Sequence, residues 1–151
     1  MEAYEKGGHA YHATMPTDAL RRLDATMKET QGHGFAWIRS RQEELGRKVR
    51  ALFESRGFAS VAAPGFQAPG VVVSFTSDAD IQSSRAFLEN GLQTAAGVPL
   101  MCDEGADFKT FRVGLFGLEK WLHVDRAVDH LAAALDRIGV AAPAEKVRET
   151  A

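Results

Sequence analysis

The amino-acid sequence predicts an α+β fold, a small and mostly antiparallel sheet covered by helices. Three observations lead there. Residues 71–75 and 110–116 carry the two clearest strand patterns of the chain. Apolar side chains recur at helical spacing before, between and after them. The connection from Pro64 to Gly70 is too short to hold a right-handed crossover between parallel strands. At 151 residues, 45% hydrophobic and 25% charged, the composition is that of one globular domain, and no internal repeat divides it.

Taken in order, residues 1–15 are polar and aromatic without periodicity and read as an extended lead-in. His9 and His12 stand three apart, but with no third ligand nearby they read as loop residues rather than a metal pair, so no metal site is expected. Pro16, Thr17 and Asp18 look like a helix start, with Leu20, Leu23 and Met27 as its apolar stripe and a break at residues 31–34. A longer helix follows, with Phe35, Ile38, Leu45, Val49, Leu52 and Phe53 on one side and a charged face on the other. Glu43 and Arg47 stand four apart in the favourable order for an ion pair, and Gly57 stops the helix.

Residues 58–62 are expected to form a short strand. Val71 to Phe75, an apolar run rich in β-branched residues, is the strongest strand. Ser77 or Asp78 then caps a helix with Ile81, Ala86 and Leu88 on its apolar face and Gly91 at its end. Residues 92–97 read as a weak strand, and 98–107 as a loop facing water. In the next strand Phe111, Val113 and Leu115 alternate with Arg112, Gly114 and Phe116. The last helix carries Val124, Val128, Leu131, Leu135 and Ile138 on one stripe. The organisation expected is a lead-in with the first helix over 1–34, a small domain over 35–140 and a polar tail over 141–151.

Composition narrows the function classes. Eighteen basic and twenty acidic side chains give a formal charge of −2, with no basic block of the kind that nucleic acid needs. Cys102 is the one cysteine, which excludes an internal disulfide. The first eight residues hold no apolar core of a secretion signal and no run approaches membrane-spanning length, so a cytoplasmic protein with no membrane partner is expected. No nucleophile stands beside a base, no phosphate loop is present, and Gly114 with Gly117 lacks the third glycine and downstream acid of a dinucleotide fingerprint. Cys102 in a polar loop reads as a bystander.

Arg112 is the exception. It sits in mid-strand with Gly114 two residues on, on the same face. A guanidinium fixed to a rigid strand, beside a position with no side chain, is a means of clamping a carboxylate in bidentate fashion. On spacing alone, the ordinary alternative, an ion pair with Asp or Glu, is the commoner arrangement.

A resemblance reverses that order. The run Thr110-Phe111-Arg112-Val113-Gly114-Leu115-Phe116-Gly117, with Asp125-Arg126 at the last helix, resembles the carboxy-terminal end of class V aminotransferases, most of all the alanine–glyoxylate and serine–pyruvate group. Tyr11-His12-Ala13-Thr14-Met15-Pro16 before the first helix is a second match in the right order. The resemblance implies the small domain of a fold type I, pyridoxal phosphate-dependent homodimer that moves an amino group between a small amino acid and a 2-oxo acid such as glyoxylate or pyruvate. It implies that Arg112 binds the substrate carboxylate, and that Tyr11 and Thr14 reach the cofactor phosphate of the partner subunit. The family's Schiff-base lysine, its pyridine-binding aspartate and most of its phosphate cup lie upstream of the matched region, and Lys6 is not in the lysine's place. The 151-residue chain alone is therefore expected to bind no cofactor and to have no transaminase activity, with a large domain or partner subunit supplying the rest. Leu20, Leu23, Met27, Phe116 and Leu118 are the apolar residues expected to be exposed where such a domain would pack. The alternative is a stand-alone module that binds small carboxylates or another protein.

Overall fold

The computed structural model describes residues 2–8, 15–105 and 107–140. The chain divides into two units, Met1–Phe35 and Ala36–Ala151. The first holds a four-residue turn of helix, α1 (Glu2–Glu5), and α2 (Thr17–His33). The Leu20, Leu23 and Met27 stripe of α2 is there, and no residue of α2 is buried. Gly34 ends α2 at φ 84°, a left-handed conformation that favours glycine.

The second unit is built from α3 (Phe35–Ser55, whose first residue belongs to the first unit), β1 (Val71–Phe75), α4 (Ala79–Gln82), α5 (Arg85–Glu89), β2 (Ala95–Ala96), β3 (Thr110–Gly114), α6 (Leu118–Leu122) and α7 (Val124–Ile138). The three strands run β1-β3-β2, antiparallel at both joins. This is the expected α+β architecture. Directly paired residues share a face, so Val72 and Ser74 of β1 stand with Val113 and Phe111 of β3 on the core side.

Phe111 organises that core. Its ring lies 5.2 Å from Phe53, 5.0 Å from Phe58 and 5.5 Å from Phe87, the first two edge to face. Leu45 and Val49 of α3 and Val124, Leu131 and Leu135 of α7 complete it. Phe58 reaches the cluster through the end of α3: its N–H donates to Phe53 O and the Gly57 N–H to Glu54 O, a pattern that also brings the two flanking apolar side chains together. Buried Gln42 carries a polar link through this packing. It donates to Pro69 O at 2.9 Å and accepts from the Trp121 indole at 2.7 Å, fixing the entry to β1 against α6.

Five local expectations change. Residues 2–5, expected to be part of an extended lead-in, form the helical turn α1, with the Lys6 ammonium bonded to the Glu2 carboxylate four residues back. Residues 58–62 make only an isolated bridge, Ser60 to Ser74, with the Ser60 hydroxyl turned to Ala62 O, a local bond that competes with strand extension. The helix capped by Asp78, whose carboxylate accepts the N–H groups of Asp80 and Ile81, breaks at Ser84, which adopts φ 67°. The break resets the helical phase, so Phe87 is buried while Leu88 is 67% exposed. A short helix, α6, precedes α7, where a single final helix was expected. Glu43 pairs with Arg39 at 2.8 Å rather than with Arg47. The polar tail, residues 141–151, lies outside the described residues.

Candidate functional site

The face of the sheet away from the core holds the candidate site. Antiparallel register puts Val73, Arg112 and Ala95 in one row across all three strands. Thr110 and Gly114 stand on the same face, two residues to either side of Arg112. The Arg112 main chain is thus bracketed by a strand on each flank, while its side chain is exposed. The neighbours in its row are small or half-buried aliphatics that offer the guanidinium no hydrogen-bonding group.

Gly114 leaves space beside it. A Cβ built there would find nothing nearer than the Phe116 ring at 4.0 Å. The same ring lies across Gly70, where a Cβ would come within 2.6 Å of Phe116 Cε1. Phe116, 63% exposed, therefore walls one end of the face. At the other end Phe75 and Phe108 meet edge to face with centroids 5.6 Å apart. Arg112 lies between two aromatic ends on an aliphatic floor.

Seven other arginines are engaged, whereas Arg21, Arg22 and Arg47 on the helices share with Arg112 the lack of a partner among the described residues, so its place in mid-strand is what sets it apart. Arg39, Arg41, Arg56, Arg85 and Arg126 each pair with a carboxylate, and Arg50 and Arg137 donate to main-chain carbonyls. Arg112 has no hydrogen-bonding or charged partner among the described residues, so the ordinary ion-pair alternative does not hold among them. A fork of five donors on a rigid strand with its donors free is able to take a planar carboxylate in bidentate fashion.

Tyr11 and Thr14 lie outside the described residues, as do His9 and His12. Among the described residues no group of three His, Cys, Asp or Glu side chains is placed to hold a metal. Cys102 is exposed, and its thiol is pushed above its ordinary range by desolvation and by the neighbouring Glu104 carboxylate, the opposite of a nucleophile's environment. A concavity of about 460 Å³ opens near Gln82, Gly97, Met101 and Phe108, but Asp103 and Glu104 line it too, which disfavours an anion. Val73, Ala95 and Phe116 complete the Arg112 surroundings. Sequence periodicity placed Phe116 on the right face, whereas Val73 and Ala95 depend on strand register that no local pattern encodes.

No family model matches the sequence, and no curated protein matches it. Solved structures do match in shape. Alanine–glyoxylate aminotransferase from Nostoc sp. superposes with a TM-score of 0.65 and 22% identity, over 85% of this chain and 33% of that one. Pyridoxamine–pyruvate aminotransferase from Mesorhizobium loti gives 0.59 and 15% identity, over 87% of this chain and 33% of that one. The chain has the fold of the C-terminal portion of class V aminotransferases. Ureidoglycine–glyoxylate aminotransferase from Bacillus subtilis also matches, with a TM-score of 0.55 and 17% identity, over 79% of this chain and 30% of that one. The chain spans about a third of the length of these aminotransferases. No helix among the described residues is long and apolar enough to cross a membrane.

Proposed function

We propose that this chain is the small-domain portion of a pyridoxal phosphate-dependent aminotransferase acting between a small amino acid and a 2-oxo acid of the glyoxylate or pyruvate type. Arg112 holds the substrate carboxylate. The observation that supports this reading most directly is its exposed guanidinium, without a partner among the described residues, in mid-strand on an open sheet face. The fold likeness to aminotransferases whose names specify glyoxylate or pyruvate supports the substrate class.

On this reading the described residues are assigned no part of a cofactor site. The residues proposed for the cofactor phosphate, Tyr11 and Thr14, fall outside them, and the resemblance puts the covalent lysine in the part of the aminotransferases that this chain does not span. The role of the described residues is then confined to the substrate. Arg112 orients the carboxylate, Gly114 and Ala95 admit a short side chain beside it, and Phe116 shields one side from water. In the assembled enzyme the reading is of a homodimer, with a large domain or partner subunit completing the site.

Titration of pyruvate or glyoxylate against the full chain by NMR tests the carboxylate role. The amides of Val73, Ala95 and Arg112 should shift saturably, with a Kd on the order of 1 mM for so small a ligand. Arg112→Ala should abolish the shifts and Arg112→Lys should weaken binding about tenfold, because an ammonium does not reproduce the planar fork. Unchanged binding in Arg112→Ala would refute the assignment. Added pyridoxal phosphate should give no protein-bound absorbance band with this chain alone.

A further inference from the structure

A second concavity, of about 180 Å³, lies at the edge of the sheet and is not lined by Arg112. It exists because β2 is short. β2 pairs only with Arg112 and Phe111, so the edge of β3 at Val113 and Gly114 is left uncovered there, and both residues line the space. Its apolar lining comes from Leu45 and Val49 of α3, Leu115 after β3 and Leu131 of α7, each no more than 6% exposed. The volume is close to that of a dry cavity, roughly 150 Å³, that admits benzene.

The rim has a different chemistry. Lys120, Arg126 and His130 stand on it with a single acid, Glu119. Glu119 is spoken for by Arg126, and Lys120 donates to Phe116 O at 3.0 Å, which leaves further ammonium protons available. Thr94 is a further lining residue. The cavity thus combines an apolar interior sized for a six-carbon body with an excess of cationic groups at its mouth.

We propose that this cavity binds a small monocarboxylate with an apolar body, an aromatic or branched aliphatic acid. The body sits between α3 and α7, and the carboxylate lies at the Lys120 ammonium, with the Arg126 guanidinium beside it offsetting Glu119. Ligands of this kind differ from a short 2-oxo acid held at Arg112, so the site is an additional one.

Benzoate, toluene and acetate, titrated separately into the isotope-labelled full chain, test it. Benzoate should shift the amides of Thr94, Gly114 and Ala127 saturably, with a Kd on the order of 1 mM. Toluene, which lacks the charge, and acetate, which lacks the body, should each bind at least about tenfold more weakly. Ala127→Leu, which fills the lining, should lower benzoate affinity by at least about tenfold. Because an overfilled lining can disturb folding, the surface pair Lys120→Gln with Arg126→Gln provides a second route to the same loss. Arg112→Ala should leave benzoate binding intact. The proposal is overturned if benzoate gives no saturable shifts, if toluene binds as tightly as benzoate, or if Arg112→Ala removes the shifts while Ala127→Leu keeps them. That last result would assign benzoate to the Arg112 face instead.

Discussion

Glu104 shows how much one side chain can determine in a loop. Its carboxylate accepts main-chain N–H groups from Leu100, Met101 at 3.0 Å and Cys102 at 2.8 Å, folding residues 100–104 around itself. Met101 and Asp103 adopt φ near 60° to make the turn, a conformation that costs energy in non-glycine residues. The main-chain donors, led by the Cys102 N–H, pull the carboxyl down to about 2 from its ordinary 4.5. A carboxylate whose folded value is lower than its unfolded one contributes stability above the unfolded value and loses it as pH falls toward the folded one. The loop should therefore hold at neutral pH and loosen between about pH 4.5 and pH 2. Following the Glu104 side-chain carbon by NMR should show a midpoint near the lower value, and Glu104→Gln should speed amide exchange at residues 100–102 at neutral pH. A midpoint near 4.5 would contradict the account. None of this is visible in the sequence, where residues 98–107 read simply as a polar loop, because the signal is main-chain geometry rather than residue type. Arg112 is the contrary case: strand alternation set its face, and Gly114 beside it marked the open space.

At the scale of the elements, legibility follows how local the cause is. The core positions of α3 at Leu45, Val49 and Phe53, the apolar face of α7 and the two five-residue strands all follow from periodicity, and all formed. Phase was lost where one residue broke it, at Ser84, and no composition signal marks a serine that will turn left-handed. Gly46 makes the same point in the other direction. In mid-helix a glycine reads as a weakness, worth about 1 kcal/mol against alanine. Here it is buried, and a Cβ would lie 2.6 Å from Pro69 O and 3.0 Å from Pro69 Cα, main-chain atoms that Gln42 also holds in place. Gly46→Ala should consequently lower stability by about 1–3 kcal/mol, read as a lower midpoint in urea. A stabilised variant would show that the Pro69 segment yields freely. Gly97→Ala should be at least as damaging, since its Cβ would fall 1.9 Å from Thr110 O, and the displaced β2 would shift Ala95 away from Arg112.

For the whole molecule, the sheet and its helices reproduce the C-terminal portion of aminotransferases about three times as long; the order of elements indicated only the α+β class, and the resemblance of residues 11–16 and 110–117 indicated the aminotransferases. What order could not indicate is what the exposed apolar surface does. Leu20, Leu23 and Met27 are 46%, 55% and 61% exposed on α2, spaced three and four apart as in the seam of paired helices. The Asp24–Lys28 ion pair at 2.7 Å joins the residues that directly follow Leu23 and Met27. A helix of 17 residues with nothing buried is marginal by itself in water, since most helix stability comes from packing an apolar face. Pairing of two copies along this stripe would supply that packing, in keeping with the proposed homodimer. Sedimentation of the full chain should then show a concentration-dependent dimer, and Leu23→Glu, at the centre of the stripe, should shift it to monomer with helical signal falling as well. A strictly monomeric wild-type chain at high concentration would place the dimer contact elsewhere. A dimer unaffected by Leu23→Glu would move it to the sheet face, where exposed Phe116 is the next apolar group to substitute.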